Sequence, residues 1–137
     1  MNILITGGTG YIGTALVNAL SQRNDVTKIV VYDNLSRGNF NFFIGRNESK
    51  GKIKFIQGDI LDSRKIRKEL SAIDVVYHLA AKVTTPFANI DSHFFEQINH
   101  WGTAELIYAL EESDVKQLIF TSSARILQVY GFGFDAF

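Results

Sequence analysis

A glycine-rich turn near the start of the chain is the segment best suited to hold a ligand. Residues Thr6–Gly13 have the sequence TGGTGYIG, which fits G-x-x-G-x-x-G from Gly7 and G-x-G-x-x-G from Gly8. In such turns an early glycine permits a tight bend, a middle one (Gly10) lets the backbone approach a pyrophosphate, and the last (Gly13) lets helix and strand pack closely. An apolar strand pattern precedes the turn and a helical pattern follows it, which favours a dinucleotide site over the alternative of an ordinary strand-to-helix turn. No Gly-Lys-Ser/Thr follows, which excludes a P-loop.

A carboxylate follows the second apolar run of the chain. Asp33 stands twenty positions after Gly13, the spacing at which an acidic residue meets an adenosine ribose. The carboxylate can accept hydrogen bonds from both ribose hydroxyls and would repel a 2′-phosphate, so the sequence favours NAD over NADP. Arg37 is close enough in sequence to serve a 2′-phosphate, but NAD remains the preferred cofactor. The alternative is that Asp33 is a turn residue, because Asp-Asn is common in turns.

Short apolar runs alternate with longer amphipathic stretches along the chain. The apolar runs are typical of buried parallel strands and lie at residues 3–5, 29–32, 53–56, 75–77 and 118–120. Helical spacing is found at about residues 11–22, 63–70 and 92–112. This alternation predicts an α/β fold with three α/β/α layers. The sheet is predicted to be parallel and doubly wound, in an incomplete Rossmann-like arrangement. Segment 34–51 is predicted to be an irregular loop that packs through its phenylalanines, and Trp101 and the phenylalanines are assigned to the core.

Composition excludes several classes of function. The 137 residues fit one domain, and 46% of them are hydrophobic, enough for a core. Fourteen basic and fourteen acidic residues leave no net charge, so nothing favours nucleic acid as a partner. The absence of cysteine excludes thiolate metal sites, and His93 and His100 lack the further ligands of a metal site. No apolar run approaches about 18 residues and no signal-peptide pattern opens the chain, so we expect a cytoplasmic protein without a membrane partner.

Several motifs occur in an order that resembles the NAD-dependent epimerase/dehydratase family, a branch of the extended short-chain dehydrogenase/reductases. The matching segments are TGGTGYIG at 6–13, DNLSRG at 33–38, GDI at 58–60, HLAA at 78–81, Asn99 followed by Gly102-Thr103, and FTSSA at 120–124. The resemblance implies a truncated NAD(P)-binding Rossmann domain over 1–124, followed by a divergent aromatic tail at 125–137. The implied reaction class is oxidoreduction at a carbon of a nucleotide sugar through a transient ketone, with NAD reused.

The same resemblance implies a set of site residues. Those that would wrap the pyrophosphate are Gly7, Gly10, Tyr11, Ile12 and Gly13. Those that would hold the adenosine are Asp33, Asn34, Ser36, Asp59 and Ile60. Those that would line the remaining groove are Leu79, Ala80, Ala81 and Lys82, with Asn99 bracing the neighbouring backbone. Ser123 would be the catalytic serine that orients the substrate, and no metal is implied.

Structural alternatives stay open for several of these residues. Asp59 is also suited to initiate the helix that follows it. Ser122 and Ser123 are also suited to satisfy loop backbone groups. His78 is interpreted as a satisfied histidine at a strand end rather than a catalyst.

The catalytic pair of the family is missing from these 137 residues. The family chemistry needs a tyrosine and, four residues later, a lysine on the same helix face. The residues four positions after the five tyrosines are Ala15, Ser36, Ala81, Glu112 and Phe134. We therefore expect the NAD-binding half of a nucleotide-sugar epimerase/dehydratase that is not catalytic alone. The alternatives are a non-enzymatic NAD-binding module and the folded remnant of a truncated gene; a free sheet edge would also allow a homodimer.

Overall fold

The computed structural model describes residues 1–44, 51–83 and 91–122. The strands are β1 (Asn2–Thr6), β2 (Lys28–Asp33), β3 (Ile53–Gln57), β4 (Val75–His78) and β5 (Gln117–Phe120). The helices are α1 (Tyr11–Ser21), α2 (Ser63–Glu69), α3 (Ser92–Glu96) and α4 (Gly102–Glu111). A 3₁₀ helix lies at Phe40–Phe43 and a π-helical turn at Gln97–Trp101. Ser123 and the segment 125–137 lie outside the described residues.

All five strands form one parallel sheet in the order β3-β2-β1-β4-β5. Strand β1 is central, and its last residue, Thr6, lies between Tyr32 of β2 and His78 of β4. The chain turns to opposite sides of β1, so the carboxyl ends of β1, β2 and β4 frame a crevice. This arrangement confirms the predicted doubly wound parallel sheet.

Each face of the sheet buries its own set of side chains. On one face, Val17 and Leu20 of α1 join a buried cluster with Ile3, Ile5 and Val31. On the other face, α2 and α4 supply buried residues that pack with alternate residues of the same strands; this cluster includes Ile66, Leu70, Leu106, Leu4, Val30 and Val76. Strand residues of alternate parity point to opposite faces. The short apolar runs therefore serve two cores, and the predicted three-layer arrangement is confirmed.

The 34–51 segment contains an element that the sequence analysis did not predict. Phe42 of the 3₁₀ helix is only 2% exposed, and its ring centroid lies 6.2 Å from that of Phe55 in β3. Phe43 meets the same ring edge-on at 5.0 Å. The predicted packing through phenylalanines is thus correct, but it takes the form of a helical turn against β3.

The long helix predicted over 92–112 is present as an unbroken helical run over residues 92–111. It contains a π-helical turn at Gln97–Trp101, which the sequence did not predict, because regular apolar spacing does not reveal one extra residue in a turn. One further expectation is wrong. Trp101 and several phenylalanines do not lie in the core: Trp101 is 55% exposed and Phe120 51%. Among the described residues, no helix is long and apolar enough to span a membrane.

Candidate functional site

A cleft of about 730 Å³ opens at the carboxyl edge of the sheet. Its walls come from the segments after β1, β2 and β4, the first turn of α1, the α3–α4 region and the end of β5. Cavities of about 300–1,000 Å³ are typical of small-molecule and cofactor sites. Two sets of residues form much of the walls. The glycine half consists of Gly7, Thr9–Gly13 and Asp33; the loop half consists of His78–Lys82, Asn99 and Thr103.

Glycine is required at both ends of the glycine turn. Gly7 has a φ of +68°, and a Cβ there would lie 2.6 Å from the backbone nitrogen of Ala80. A Cβ at Gly13 would lie 2.6 Å from the carbonyl oxygen of Gly7. The turn therefore packs directly on the loop after β4, and α1 begins directly against the turn.

The amino end of α1 faces the cleft without a side-chain cap. Its N-cap residue is Gly10, which makes no side-chain capping hydrogen bond, and Gly10, Tyr11, Ile12 and Gly13 all line the cleft. The first amides of a helix have no partner within the helix, and the helix dipole places partial positive charge there. This end of the cleft is therefore suited to a phosphate group.

Two backbone amides hold the carboxylate of Asp33 at the cleft wall. Thr9 N donates to Oδ2 at 3.0 Å and Leu35 N donates to Oδ1 at 2.8 Å. A carboxylate has about four acceptor positions, so both oxygens can still accept a hydroxyl. The contact with Leu35 is a turn contact and the contact with Thr9 ties Asp33 to the glycine turn. Asp33 therefore stabilises the turn after β2 and also lines the cleft, so the two alternatives that the sequence left open for it are compatible.

The neighbours of Asp33 differ in how closely they approach the cleft. Asn34, Ser36, Arg37 and Ile60 line it, whereas Asp59 does not. The Asp59 carboxylate accepts from Asn34 Nδ2 at 3.0 Å and from Leu61 N at 2.9 Å. Asp62, not Asp59, caps α2 by accepting from Lys65 N. Asp59 therefore supports the wall from behind Asn34.

The loop half is held together by side chains from α3 to α4. Asn99 in the π-helical turn accepts from Lys82 N at 2.7 Å and donates to Lys82 O at 3.0 Å. The Lys82 ammonium lies 4.5 Å from the ring centroid of Phe94. Leu79, Ala80 and Ala81 line the adjoining wall, as do Thr121 and Ser122 after β5.

His78 is a buried histidine with a partner on each ring nitrogen. Nδ1 lies 2.6 Å from Thr6 Oγ1 and Nε2 lies 2.9 Å from Thr103 Oγ1. The ring is 1% exposed and stacks on Phe120 with the ring centroids 5.5 Å apart. Burial lowers the pKa of His78 to about 4. The ring is therefore neutral near pH 7, as expected of a satisfied histidine at a strand end.

Two residues beside the glycine turn, Asn39 and Thr14, were not singled out by sequence. Thr9 O accepts from Asn39 Nδ2 at 2.9 Å and from Thr14 Oγ1 at 3.3 Å. Thr103 was named only as part of a motif, and its contact with His78 was not predicted. Polar side chains that follow Asp33 and Asn99 were a weak signal, since partners 25 to 30 positions apart cannot be assigned by spacing. In the described part of the chain no group of three or more His, Asp or Glu side chains could hold a metal ion.

Comparison with known proteins decides what kind of Rossmann fold this is. The family model described as "NAD dependent epimerase/dehydratase family" matches residues 3–133. The chain belongs to this family. UDP-glucose 4-epimerase from Erwinia amylovora is 36% identical over 129 residues, which cover 92% of the chain and 38% of that relative. Human dTDP-D-glucose 4,6-dehydratase is 31% identical over 135 residues, which cover 97% of the chain and 38% of that relative.

Solved structures of epimerases share the fold. UDP-N-acetylglucosamine 4-epimerase from Methanobrevibacter ruminantium, in complex with UDP-N-acetylmuramic acid, aligns with a TM-score of 0.79 at 31% identity over 92% of this chain and 39% of its own. UDP-glucose-4-epimerase from Stenotrophomonas maltophila, with bound NAD and formylated UDP-arabinopyranose, aligns with a TM-score of 0.78 at 29% identity over 92% and 38%. The chain thus spans about 38% of the length of the curated relatives it matches. The family resemblance predicted from motifs is confirmed, for an NAD-binding domain of the epimerase/dehydratase type.

Proposed function

We propose that this epimerase/dehydratase domain binds NAD along the cleft. The pyrophosphate lies at the glycine half, the adenosine ribose at Asp33, and the nicotinamide at the loop half. The observation that carries the proposal is the 3.0 Å hydrogen bond from Thr9 N to Asp33 Oδ2. That bond fixes a ribose acceptor at a set position relative to the uncapped amino end of α1.

Individual residues take the following parts in the proposed complex. The α1 amides of Tyr11, Ile12 and Gly13 donate to the pyrophosphate. Asn34, Ser36 and Ile60 form the adenosine wall, and Asp59 keeps Asn34 in place. Leu79, Ala80 and Ala81 allow close approach of the nicotinamide end, while Lys82 reaches a cofactor hydroxyl from a backbone braced by Asn99. Bound NAD supplies a hydride acceptor and donor; the chain binds, orients and shields it.

The proposed cofactor is NAD rather than NADP. A 2′-phosphate would lie beside the Asp33 carboxylate, and two negative groups at that distance repel each other. Arg37 lines the same wall but is exposed, and the charge of an exposed side chain is strongly screened by water and salt. The carboxylate therefore decides the preference.

The proposed reaction class is epimerisation or dehydration of a nucleotide sugar, and the 137-residue chain is proposed to be inactive by itself. The sequence contains no Tyr-x-x-x-Lys pair, so no side chain pair is available to take the proton from a sugar hydroxyl. Ser123 follows the cleft residue Ser122 and is proposed to orient the substrate. The chain is proposed to supply the cofactor half of the site.

Calorimetric titration of the purified chain with NAD and with NADP tests the binding site. We expect saturable NAD binding, weaker NADP binding, and about tenfold or greater loss of NAD affinity in Asp33→Ala, because a charged hydrogen-bond acceptor is lost. Asp25→Ala, which removes an exposed partner of Arg23 beside Met1 at the amino end of β1, the edge of the sheet opposite the cleft, is the control and should bind NAD normally. Equal affinity of wild type and Asp33→Ala would contradict the proposal. A folded chain that binds neither nucleotide would favour the remnant interpretation.

Incubation with NAD and a UDP-hexose or a dTDP-hexose, followed by NMR of the sugar, tests the activity. We expect no conversion by the pure chain. Conversion restored by a separate polypeptide that carries a Tyr-x-x-x-Lys helix would show that the chain is the cofactor half of an enzyme. Conversion by the pure chain alone would contradict the proposed inactivity.

Among the described residues β5 pairs only with β4, and a second copy of the chain is the proposed partner of this edge of the sheet. Leu118 and Phe120 are 37% and 51% exposed there, and exposed apolar edge strands favour pairing with another chain. Sedimentation velocity should show a dimer for the wild-type chain and a monomer for Leu118→Lys. A wild-type chain that remains monomeric at all concentrations would contradict this partner.

A further inference from the structure

A chain of hydrogen bonds connects the end of β1 to the loop half of the cleft through His78. Thr6 and His78 are register partners at the ends of adjacent strands. On one side the His78 ring contacts the Thr6 hydroxyl at 2.6 Å. On the other side it contacts the Thr103 hydroxyl of α4 at 2.9 Å. One imidazole therefore joins two strands to a helix.

The direction of each hydrogen bond follows from the groups at the far end. Thr103 Oγ1 lies 2.8 Å from the carbonyl oxygen of Asn99. A carbonyl only accepts, so the hydroxyl gives its single proton to that oxygen and accepts from His78 Nε2–H. Nδ1 then carries no proton, because the ring is neutral, and accepts from the Thr6 hydroxyl. The ring is thus held in its Nε2–H tautomer.

The same chain ends on the backbone of Lys82. Asn99, whose carbonyl accepts from Thr103, exchanges two side-chain hydrogen bonds with Lys82 N and O. At the start of the loop, Leu79 N donates to Thr6 O at 3.1 Å. Residues 79–82 are therefore tied at one end to Thr6, which contacts His78. At the other end they are tied to Asn99, whose carbonyl accepts from the Thr103 hydroxyl that contacts His78.

We propose that His78 is a positioning residue of the cofactor site. Through Thr103 and Asn99 it holds the Lys82 backbone in place at the nicotinamide end. The proposal rests on the proposed function, since it concerns the loop assigned to the nicotinamide. ADP lacks the nicotinamide riboside and would reach only the glycine half. Disturbing the hydrogen-bond chain therefore weakens binding of NAD without weakening binding of ADP.

Thr103→Val is the sharpest test because it removes one hydroxyl and keeps the shape of the side chain. We expect NAD to bind about fivefold more weakly, the effect of one lost hydrogen bond, and ADP to bind as to wild type. Thr103→Ser should restore NAD binding. Ser113→Ala is the matched control, because it removes a 2.8 Å hydroxyl contact with Leu110 O just beyond the other end of α4, and should bind both nucleotides normally.

Amide hydrogen exchange of the chain without nucleotide gives an independent readout. The Lys82 amide should exchange faster in Thr103→Val, at the wild-type rate in Thr103→Ser, and unchanged in Ser113→Ala. The ¹⁵N shifts of His78 should show a proton on Nε2. Unchanged Lys82 exchange in Thr103→Val, an Nδ1–H tautomer, or equal losses of NAD and ADP affinity would each overturn the positioning role. If the wild-type chain binds neither nucleotide, the proposed function fails, and Lys82 exchange still decides whether His78 positions the loop.

Discussion

The glycine half and the loop half of the cleft are held in place by different kinds of interaction. In the glycine half, the backbone itself forms the site, and Gly7 and Gly13 leave no room for a side chain. In the loop half, side chains from β1, β4, the π-helical turn and α4 hold the loop, each through one or two hydrogen bonds. The glycine half is therefore constrained by sterics and the loop half by a series of polar contacts.

This difference determines how each half responds to substitution. Backbone atoms cannot move away from a new Cβ without shifting the strand or helix to which they belong, so steric changes in a close-packed site are costly. A lost hydrogen bond costs about 1 kcal/mol when water or a neighbouring group can replace it. Single changes should thus be severe and general in the glycine half, but mild and selective in the loop half.

The largest effect is expected from Gly7→Ala. The new Cβ would meet the Ala80 backbone at 2.6 Å with φ at +68°, so we expect a loss of about 3 kcal/mol in the free energy of unfolding and no measurable NAD binding. Urea unfolding and calorimetry measure the two quantities. Gly51→Ala is the matched control, because Gly51 has a φ of +85° and no described atom within 4 Å of its Cβ position. It should lose only about 1 kcal/mol and bind NAD normally; similar losses in the two variants would show that backbone strain, not packing against Ala80, sets the cost.

The two halves also differ in how far the sequence predicts them. The glycine turn and Asp33 could be predicted because each lies in a short local pattern, directly after an apolar strand run. The contacts of the loop half join residues 72 and 25 positions apart, and no local pattern pairs Thr6 or Thr103 with His78. Trp101 was assigned to the core from its hydrophobicity, which shows a preference for burial but not whether a partner surface is present. The five parallel strands were predictable because each is a short apolar run. The three inner strands, β1, β2 and β4, are mostly buried, whereas the edge strands β3 and β5 are partly exposed.

The second prediction concerns the loss of stability at low pH, which we expect to arise from His78 in the loop half. Burial lowers the pKa of His78 in the folded chain to about 4, whereas an unfolded histidine has a pKa of about 6.5. Below about pH 6.5 the unfolded state takes up a proton that the folded state does not, so the free energy of unfolding should fall by about 3 kcal/mol in total by pH 4. Urea unfolding from pH 7.5 to 4.5 measures the loss.

The pH window separates His78 from the carboxylates. The pKa values of Asp25 and Asp74 are lowered, by hydrogen bonds with Arg23 and with Asn2 N respectively, so their stabilisation is lost only as pH falls below the unfolded value of about 3.9. His78→Gln removes the titrating ring and should be less sensitive to pH between 6.5 and 4.5. The same pH dependence in wild type and His78→Gln would contradict the assignment.

The third prediction distinguishes the two halves by comparing the binding of NAD with that of ADP. Asn39→Ala removes the 2.9 Å hydrogen bond to Thr9 O and so loosens the loop beside the glycine half. We expect NAD and ADP to bind about fivefold more weakly and to the same extent, in contrast to Thr103→Val, which should weaken NAD alone. Asn2→Ala is the control, because it removes a similar 2.8 Å amide-to-carbonyl contact, with Ala72 O, at the opposite edge of the sheet. An Asn39→Ala chain that loses affinity for NAD but not for ADP would show that the two halves are not independent.

The smallest effect is expected from Phe94→Leu, which changes a side chain in contact with Lys82 of the loop half. The ring of Phe94 is 37% exposed, and the Lys82 ammonium lies 4.5 Å from its centroid. A cation–π contact at an exposed site contributes about 0.5–1 kcal/mol, and the Lys82 backbone stays held by Asn99 in this variant. NAD should therefore bind only about twofold more weakly, with ADP unchanged, and Phe94→Tyr should match wild type. If Phe94→Leu instead weakened NAD as much as Thr103→Val does, the position of the lysine side chain, rather than that of its backbone, would control the loop half.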